Sequence, residues 1–191
     1  PGVSSIGVDS WGVDYVLTDG EGRVLGLPVA YRDRRTTGMR ERWAESMSEE
    51  ETFRRTGINF YAFNTLFQLL AQKDDAVLSS SQHLLFLPSY FSFLLSGNPV
   101  NELTIASTSQ LLAAGSVDWD GEIFDKLGLD SSKLGKPVLP GTRLGKMTWP
   151  LQRTGIETIA VCQHDTASVV ASLPLGKKGT AYISAGTWCV V

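Results

Sequence analysis

The chain has 191 residues, of which 42% are hydrophobic and 19% are charged. Its 17 basic and 20 acidic residues are well mixed and give a net charge of -3. These values fit a soluble globular protein, exclude a disordered chain and offer no basic surface for a nucleic acid. The longest apolar stretch, residues 84–95, is interrupted by Pro88 and Ser89 and is too short to cross a bilayer.

The two cysteines, Cys162 and Cys189, are too few for a disulfide framework and lack the spacing of metal ligands. We therefore expect reduced thiols in a cytoplasmic protein. The chain begins at Pro1 instead of a methionine and stops inside the apolar run 188–191. We expect the natural polypeptide to continue in both directions.

The first part of the chain has the pattern of β-structure. Residues 5–9 are predicted to form a buried strand, and residues 13–18 alternate in polarity as a second strand does. Turn-forming residues at 19–22 then lead into an extended segment at 24–29. Together these segments predict an antiparallel meander.

Helical periodicity begins after this meander, where Met39, Trp43 and Met47 fall on one face. The sequence at 48–51 is typical of a capping box and predicts a second helix that ends at Gly57.

Further helices are predicted over residues 65–73 with Asn64 as the N-cap, over residues 89–95, and through Leu127 after an N-cap at Asp120. From residue 156 to 162 the chain is extended again, a small-residue helix follows through Ser172, and residues 180–184 read as a strand. This order predicts an α/β domain with a largely helical middle section.

A strand that turns directly into a helix makes residues 161–168 the first candidate site. Open α/β sheets bind ligands at the carboxyl ends of their strands. Asp165 lies in the first helical turn, where a carboxylate accepts backbone N–H groups and favours the helix dipole. Spacing alone leaves two interpretations open, a helix cap and a group that orients a hydroxyl for phosphoryl transfer.

The tetrapeptide at 184–187 combines small side chains with a free hydroxyl and is the second candidate. Gly186 would let a backbone N–H approach an anion closely, and the Thr187 hydroxyl would add a donor. A phosphate-binding loop and an ordinary tight turn both fit this pattern.

A third candidate lies at 9–14, where Trp11 could pack against a sugar face and Gly12 would give access to the backbone. Packing of Trp11 in the core is the competing interpretation. A fourth candidate is the neighbouring pair Arg32 and Asp33, which could hold substrate hydroxyls or form a solvated surface ion pair.

Five segments together resemble the carbohydrate kinases of the FGGY family, and within it the branch that phosphorylates L-rhamnulose. They are SIGVDSWGVD at 5–14, GLPVAYRDRRT at 26–36, FNTL at 63–66, VCQHDTAS at 161–168 and SAGTW at 184–188. Their order and spacing match throughout. The resemblance covers essentially the whole chain, which would be less than half of a complete kinase of this family.

The resemblance implies a ribonuclease-H-like (actin-like ATPase) fold of two domains flanking a cleft, and ATP-dependent phosphorylation of L-rhamnulose with Mg²⁺. Asp165 matches the catalytic base of the family. His164 and Thr166 match residues that contact the ketose, Gly12 matches a backbone contact to it, and Thr187 matches a hydroxyl near the ATP phosphates. Arg32 and Asp33 match a substrate-holding polar pair more loosely.

The same resemblance implies that residues 1–191 are a partial N-terminal kinase domain. The first phosphate-binding hairpin would precede Pro1, and the C-terminal domain with its glycine-rich adenosine motif would follow Val191. We therefore expect no kinase activity from this chain alone, because in-line positioning and exclusion of water both need a closed cleft.

Two alternatives remain open at this stage. The substrate could be another ketose, namely xylulose, ribulose or fuculose. The chain could also be a non-catalytic actin-like module that binds a sugar or a nucleotide.

Overall fold

The computed structural model describes residues 2–149, 155–174, 181–185 and 189–190. Within these residues the strands are β1 (Ser5–Ile6), β2 (Tyr15–Thr18), β3 (His83–Phe86), β4 (Arg143–Lys146), β5 (Glu157–Ile159), β6 (Ser184–Ala185) and β7 (Cys189–Val190). The α-helices of the same ranges are α1 (Met39–Ala44), α2 (Glu49–Thr56), α3 (Thr65–Gln72), α4 (Ala76–Ser80), α5 (Leu87–Ser96), α6 (Leu103–Ser107), α7 (Gly121–Leu127) and α8 (Asp165–Ser172). Two 3-10 helices span Arg34–Thr36 and Ser131–Leu134.

A three-stranded sheet in the order β1-β5-β4 carries the candidate site at one end. Strand β1 pairs in parallel with β5, and β4 pairs with β5 in the antiparallel direction. Just beyond these strands, Gly7 packs closely against Val161. A Cβ at Gly7 would come within 2.3 Å of the Val161 side chain. The carboxyl ends of β1 and β5 therefore emerge side by side.

A second sheet, formed by β2 and β3, contributes to the core. The two strands pair antiparallel, with Tyr15 opposite Phe86 and Thr18 opposite His83. Their apolar side chains pack with those of helices α1, α3, α6 and α7 in one buried cluster, in which Trp43, Leu66 and Phe67 are almost completely buried. The mixture of strands and helices confirms the predicted α/β class.

The predicted meander is wrong. Strand β2 takes β3 as its partner, across 65 residues of sequence from Thr18 to His83, while β1 joins β5. The segment 24–29 adds only one isolated bridge, between Val24 and Thr18, because Gly26 has a φ of +73° and Pro28 has no N–H to donate. The predicted burial of residues 5–9 is also wrong, since β1 is the edge strand of the described sheet and its Ser5 is exposed.

Local helix signals were more dependable. Ser48 caps α2 by accepting the Glu51 N–H, and Gly57 ends the helix with a φ of +70°. Asp120 caps α7 in the same way, and His164 is the N-cap of α8. The sequence interpretation missed α4, α6, β3 and β4, which are short elements of four or five residues.

In the part of the chain that the structure describes, every helix falls short of what a membrane crossing requires.

Candidate active site

The candidate site forms where the end of β1 meets the corner between β5 and α8. Beyond β1, the Ser10 N–H donates to the Gln163 carbonyl at 2.9 Å, and the Asp165 N–H donates to the Ser10 carbonyl at 2.9 Å. These two bonds continue the parallel pairing through an isolated bridge between Ser10 and His164. The first and the third predicted sites are therefore adjacent, although Ser10 and His164 are 154 positions apart in the sequence.

Asp165 is the first residue of α8, and its carboxylate is open to solvent, with 57% of the side chain exposed. Its Oδ1 accepts the Thr166 N–H at 2.6 Å and the Thr166 hydroxyl at 3.3 Å. His164 occupies the N-cap position without a side-chain bond to the helix, so the Asp165 carboxylate is the side chain that accepts an N–H in the first turn of α8. The carboxylate is thus held by its own helix and still accessible to a substrate.

The imidazole of His164 lies beside this carboxylate, with Nε2 3.4 Å from Asp165 Oδ1. Burial lowers the pKa of His164 below its usual 6.5, while the negative charges of Asp165 and Glu102 act in the opposite direction. Since burial dominates, we infer that the imidazole is neutral at neutral pH and can both donate and accept a hydrogen bond.

The lowered pKa of His164 predicts a pH dependence of stability. Because the unfolded chain binds this proton more tightly, the free energy of unfolding should fall as the pH drops below about 6.5, until the folded-state pKa is passed. Urea denaturation between about pH 7.5 and about pH 5 measures the loss, and His164→Gln should remove it.

The chain has a second histidine, His83, so variants of both residues are needed to assign the NMR resonance of the His164 imidazole. An NMR titration of the wild type should show an imidazole with a pKa below 6.5. That signal should persist in His83→Gln and disappear in His164→Gln. A His164 signal that titrates above 6.5 would contradict the burial argument.

Beneath the corner, a buried carboxylate and a hydroxyl hold the backbone of the β5–α8 connection. Glu102, at 1% exposure, accepts the Gln163 N–H with its Oε2 at 2.9 Å. Thr104 Oγ1 donates to the same Oε2 at 2.6 Å and accepts the His164 N–H at 3.2 Å. The backbone N–H groups of Gln163 and His164, the two residues before Asp165, are therefore both hydrogen-bonded to these buried side chains.

The Gln163 side chain anchors the same corner to α5. Its Oε1 accepts the Ser89 hydroxyl at 2.6 Å, and its Nε2 donates to Ser92 Oγ at 2.9 Å. All three residues are buried.

Trp11 is half-exposed, so the structure does not support its interpretation as a core residue. Its indole Nε1 donates to Asp14 Oδ2 at 2.9 Å. Asp14 is buried, and burial raises the pKa of its carboxyl group, although the Trp11 indole, the Tyr31 N–H and the Arg35 guanidinium each lower it. The indole ring is thereby fixed with much of its surface open at the site.

Gly12 packs directly against Thr108. A Cβ at Gly12 would lie 2.7 Å from Thr108 Oγ1 and 2.9 Å from both Thr108 Cβ and Cγ2. The next residue, Val13, has a φ of 67°, and the Asp14 N–H donates to the Gly12 carbonyl across it at 2.9 Å. This tight three-residue turn is costly for a β-branched residue, and its Val13 N–H is satisfied by Thr108 Oγ1 at 3.1 Å.

Arg32 and Asp33 are exposed and do not form an ion pair with each other among the described contacts. Arg32 Nε donates to the Tyr31 hydroxyl at 3.0 Å, and Asp33 Oδ1 accepts the Arg35 N–H at 2.8 Å. Their link to the rest of the site is indirect and runs through the Tyr31 N–H that faces Asp14. The structure thus brings together Trp11, Gly12 and residues 164–166, with Arg32 and Asp33 further out.

Gly186 and Thr187 lie outside the described residues. Of the two cysteines, Cys162 is a free, half-buried thiol. Burial raises the pKa of this thiol, which makes it a poor nucleophile. Within the described ranges, no group of three or more histidine, cysteine or acidic side chains is arranged to hold a metal ion.

Sequence reasoning missed Glu102, Thr104 and Thr108, which all support the site from α6. A cap signal was present, because an acidic residue precedes the apolar positions Leu103 and Ile105. The contacts of these residues with positions 12, 13, 163 and 164 span 60 to 96 residues of sequence, and no local pattern reports them.

Comparisons with known proteins agree on the family. Residues 2–171 match the signature of the FGGY family of carbohydrate kinases, N-terminal domain. The chain is 47% identical over 189 residues to a rhamnulokinase from Pectobacterium atrosepticum, covering 98% of this chain and 38% of that protein. It is 42% identical over 191 residues to a rhamnulokinase from Klebsiella pneumoniae, covering 99% of this chain and 39% of that protein.

Solved structures support the fold. A gluconate kinase from Lactobacillus acidophilus superimposes with a TM-score of 0.76 at 18% identity, covering 84% of this chain and 34% of that one. A glycerol kinase from Plasmodium falciparum, solved with ADP, gives a TM-score of 0.73 at 15% identity, covering 83% of this chain and 33% of that one. The described α/β architecture is thus that of these actin-like sugar kinases.

Proposed function

Because the chain belongs to the FGGY family of carbohydrate kinases, we propose that it forms part of an enzyme that transfers the γ-phosphoryl group of ATP to L-rhamnulose, giving L-rhamnulose 1-phosphate. The choice of sugar is supported by the rhamnulokinases of 42% and 47% identity. Since the chain spans only 38% of the first of these relatives, the activity is proposed for the whole protein.

The observation that carries the proposal is the open carboxylate of Asp165, held between His164 and Thr166 next to the Trp11-Gly12 segment. In phosphoryl transfer, the attacking hydroxyl keeps its proton until late, so a carboxylate that orients the hydroxyl is sufficient as a base. The sugar oxygen forms the new bond to phosphorus, the bond from phosphorus to the β,γ-bridging oxygen breaks to release ADP, and Asp165 accepts the hydroxyl proton.

The neighbouring residues receive the sugar in this proposal. His164 and Thr166 hydrogen-bond to the ketose, the Gly12 backbone contacts it, and Trp11 packs against one of its faces. Arg32 and Asp33 hold outer hydroxyl groups. Gly186 and Thr187 contact the ATP phosphates, and those phosphates would supply most of the protein-independent ligands of Mg²⁺, which would neutralise their charge.

We further propose that residues 1–191 are a partial N-terminal kinase domain and that the protein is cytoplasmic. The first phosphate-binding hairpin and the adenosine-binding part of the C-terminal domain would then lie outside these residues. The isolated chain should consequently have no kinase activity, because positioning supplies most of the catalysis in phosphoryl transfer.

A coupled ADP-release assay tests the proposal on the complete gene product. The panel contains L-rhamnulose, L-fuculose, D-xylulose and L-ribulose, and the highest kcat/KM should be found with L-rhamnulose. A higher value with another ketose would refute the sugar assignment but keep the kinase. Binding of a ketose or ATP without any ADP release would refute the kinase and favour a binding module.

The isolated chain of 191 residues is the second arm of the same assay. No L-rhamnulose-dependent release of ADP is expected from it. Turnover by this chain alone would refute its assignment as a partial domain.

A further inference from the structure

Helix α6 and its two capping residues contact both parts of the candidate site, the β5–α8 corner that carries Asp165 and the turn at Gly12. At its N-terminal end, Glu102 Oε1 accepts the Thr104 N–H at 2.8 Å, and Oε2 accepts the Ile105 N–H at 3.3 Å. These two bonds cap the helix. The same Oε2 also accepts the Gln163 N–H at 2.9 Å, which belongs to the β5–α8 corner.

Glutamate is an unusual residue for this position. Short polar side chains are the preferred N-caps, and aspartate caps the helices that follow Asp33, Asp75, Asp120 and Asp130 in this chain. Glutamate has one more methylene group than aspartate, which adds about 1.5 Å of reach. That extra length lets one carboxylate cap α6 and bind the Gln163 N–H at the same time.

Thr104 extends the contact by one residue towards Asp165. Its hydroxyl donates to Glu102 Oε2 at 2.6 Å and accepts the His164 N–H at 3.2 Å. The backbone N–H groups of the two residues that precede Asp165 are therefore both bound to the N-terminal end of α6.

The opposite end of α6 holds the other half of the site. Thr108, the C-cap residue, donates its hydroxyl to the Ile105 carbonyl at 2.8 Å and accepts the Val13 N–H at 3.1 Å. It also packs against Gly12. One short helix thus sets the position of the Asp165 corner relative to the Gly12 turn.

We propose that Glu102 is a positioning residue for the transfer reaction, acting through α6 together with Thr104 and Thr108 to fix the Asp165 carboxylate relative to the sugar-binding turn at Gly12. This inference rests on the proposed function. It assigns to Glu102 no contact with either substrate. A displacement of about 1 Å in a reacting group can lower the rate about 100-fold. Loss of the contacts that Glu102 makes should therefore lower kcat measurably.

The Glu102→Asp variant separates the two tasks of this carboxylate in the complete gene product. Aspartate can still cap α6, but it is too short to reach the Gln163 N–H as well. We expect kcat for ketose phosphorylation to fall about 100-fold, the KM for ATP to stay within about twofold, and the melting temperature to stay within a few degrees.

Thr104 provides an independent variant in case Glu102→Asp folds poorly. Thr104→Val removes the hydroxyl at nearly constant volume and should also lower kcat, whereas Thr104→Ser keeps the hydroxyl and should retain most of it. Asp120→Asn is the matched control for loss of a buried N-cap carboxylate, since Asp120 caps α7 and contacts no residue of the site in the described structure. It should lower stability and leave kcat unchanged.

Hydrogen exchange of the Gln163 and His164 amides gives a readout that does not depend on catalysis. Exchange of the Gln163 amide should accelerate in Glu102→Asp, and exchange of the His164 amide in Thr104→Val. The proposal is overturned if both variants keep wild-type kcat, or if Thr104→Ser loses as much activity as Thr104→Val. If the wild type phosphorylates no ketose, the proposed function fails. Hydrogen exchange then tests the positioning contacts alone: faster exchange of the two amides in the variants supports these contacts, and unchanged exchange overturns them.

Discussion

Asp165→Asn in the complete gene product is expected to lower kcat for ketose phosphorylation by about 10²- to 10⁴-fold, the usual range for loss of a general base. Asparagine has the same shape, and its amide oxygen can still accept the Thr166 N–H that Asp165 Oδ1 accepts at 2.6 Å. The start of α8 should therefore be preserved. What is lost is the ability to accept the proton of the sugar hydroxyl at neutral pH.

Steady-state kinetics by ADP release, together with calorimetric titration of the sugar, checks this prediction. Sugar affinity should stay within several-fold of the wild type, because His164, Thr166 and Gly12 remain in place. Asp130→Asn is the matched control, since the exposed Asp130 accepts the Ser132 N–H and hydroxyl much as Asp165 accepts those of Thr166. If Asp165→Asn kept more than about a tenth of the wild-type kcat, Asp165 would not be the base.

The proximity of Asp165 to Gly12 could be predicted from the sequence only in part. The carboxyl ends of parallel strands meet at one edge of a sheet, and the two segments do follow strands β1 and β5, which are parallel neighbours. The FGGY resemblance supplied the roles. The strand order was not readable, and the predicted meander assigned the wrong partners to β1 and β2.

The correct predictions concern interactions between residues that are close in the sequence, and the wrong ones concern residues that are far apart in it. The caps at Ser48 and Asp120 are bonds across three residues, so a short sequence window contains everything that determines them. The β2–β3 pairing and the bond from Gln163 to Glu102 join residues more than 60 positions apart. Their partners are selected by packing, which a local pattern cannot report.

The buried Asp14 illustrates the same limit within the site. The segment 9–14 contains two aspartates whose burial the sequence does not distinguish, and the structure shows Asp9 exposed and Asp14 buried. Asp14 accepts the Trp11 indole N–H, and the nearby Tyr31 N–H lowers the pKa of its carboxyl group, so Asp14 lies between the turn at Gly12 and the segment that carries Arg32 and Asp33. Its role is therefore structural support of the site, and Asp9 has no such contact among those described.

Gly12→Ala is expected to damage both the fold and the binding of the sugar. The added Cβ would approach three atoms of Thr108 within 2.9 Å, and the β-branched Thr108 has no rotamer that moves all of them away. Rotation of Thr108 would also break its bond to the strained Val13. The turn must therefore move away from α6, and overpacking of this kind costs about 1–3 kcal/mol in the free energy of unfolding.

A shift of the Gly12 backbone by about 1 Å should also lower kcat/KM for the ketose about 100-fold, because it displaces the backbone contact to the sugar that we propose. Urea denaturation and ADP-release kinetics measure the two effects. Gly121→Ala is the matched control, since a Cβ at that position in α7 would meet no atom within 4 Å other than those of its chain neighbours and its own helix backbone.

A compensating substitution identifies the contact responsible. Thr108→Ala removes two of the three close atoms, Oγ1 and Cγ2, and leaves Cβ at 2.9 Å. The Gly12→Ala/Thr108→Ala double variant should therefore recover part of the lost stability relative to Gly12→Ala, although the Val13 N–H then lacks its acceptor. If the two substitutions were additive in a double-mutant cycle, the close packing of α6 against Gly12 would not be the cause of the damage.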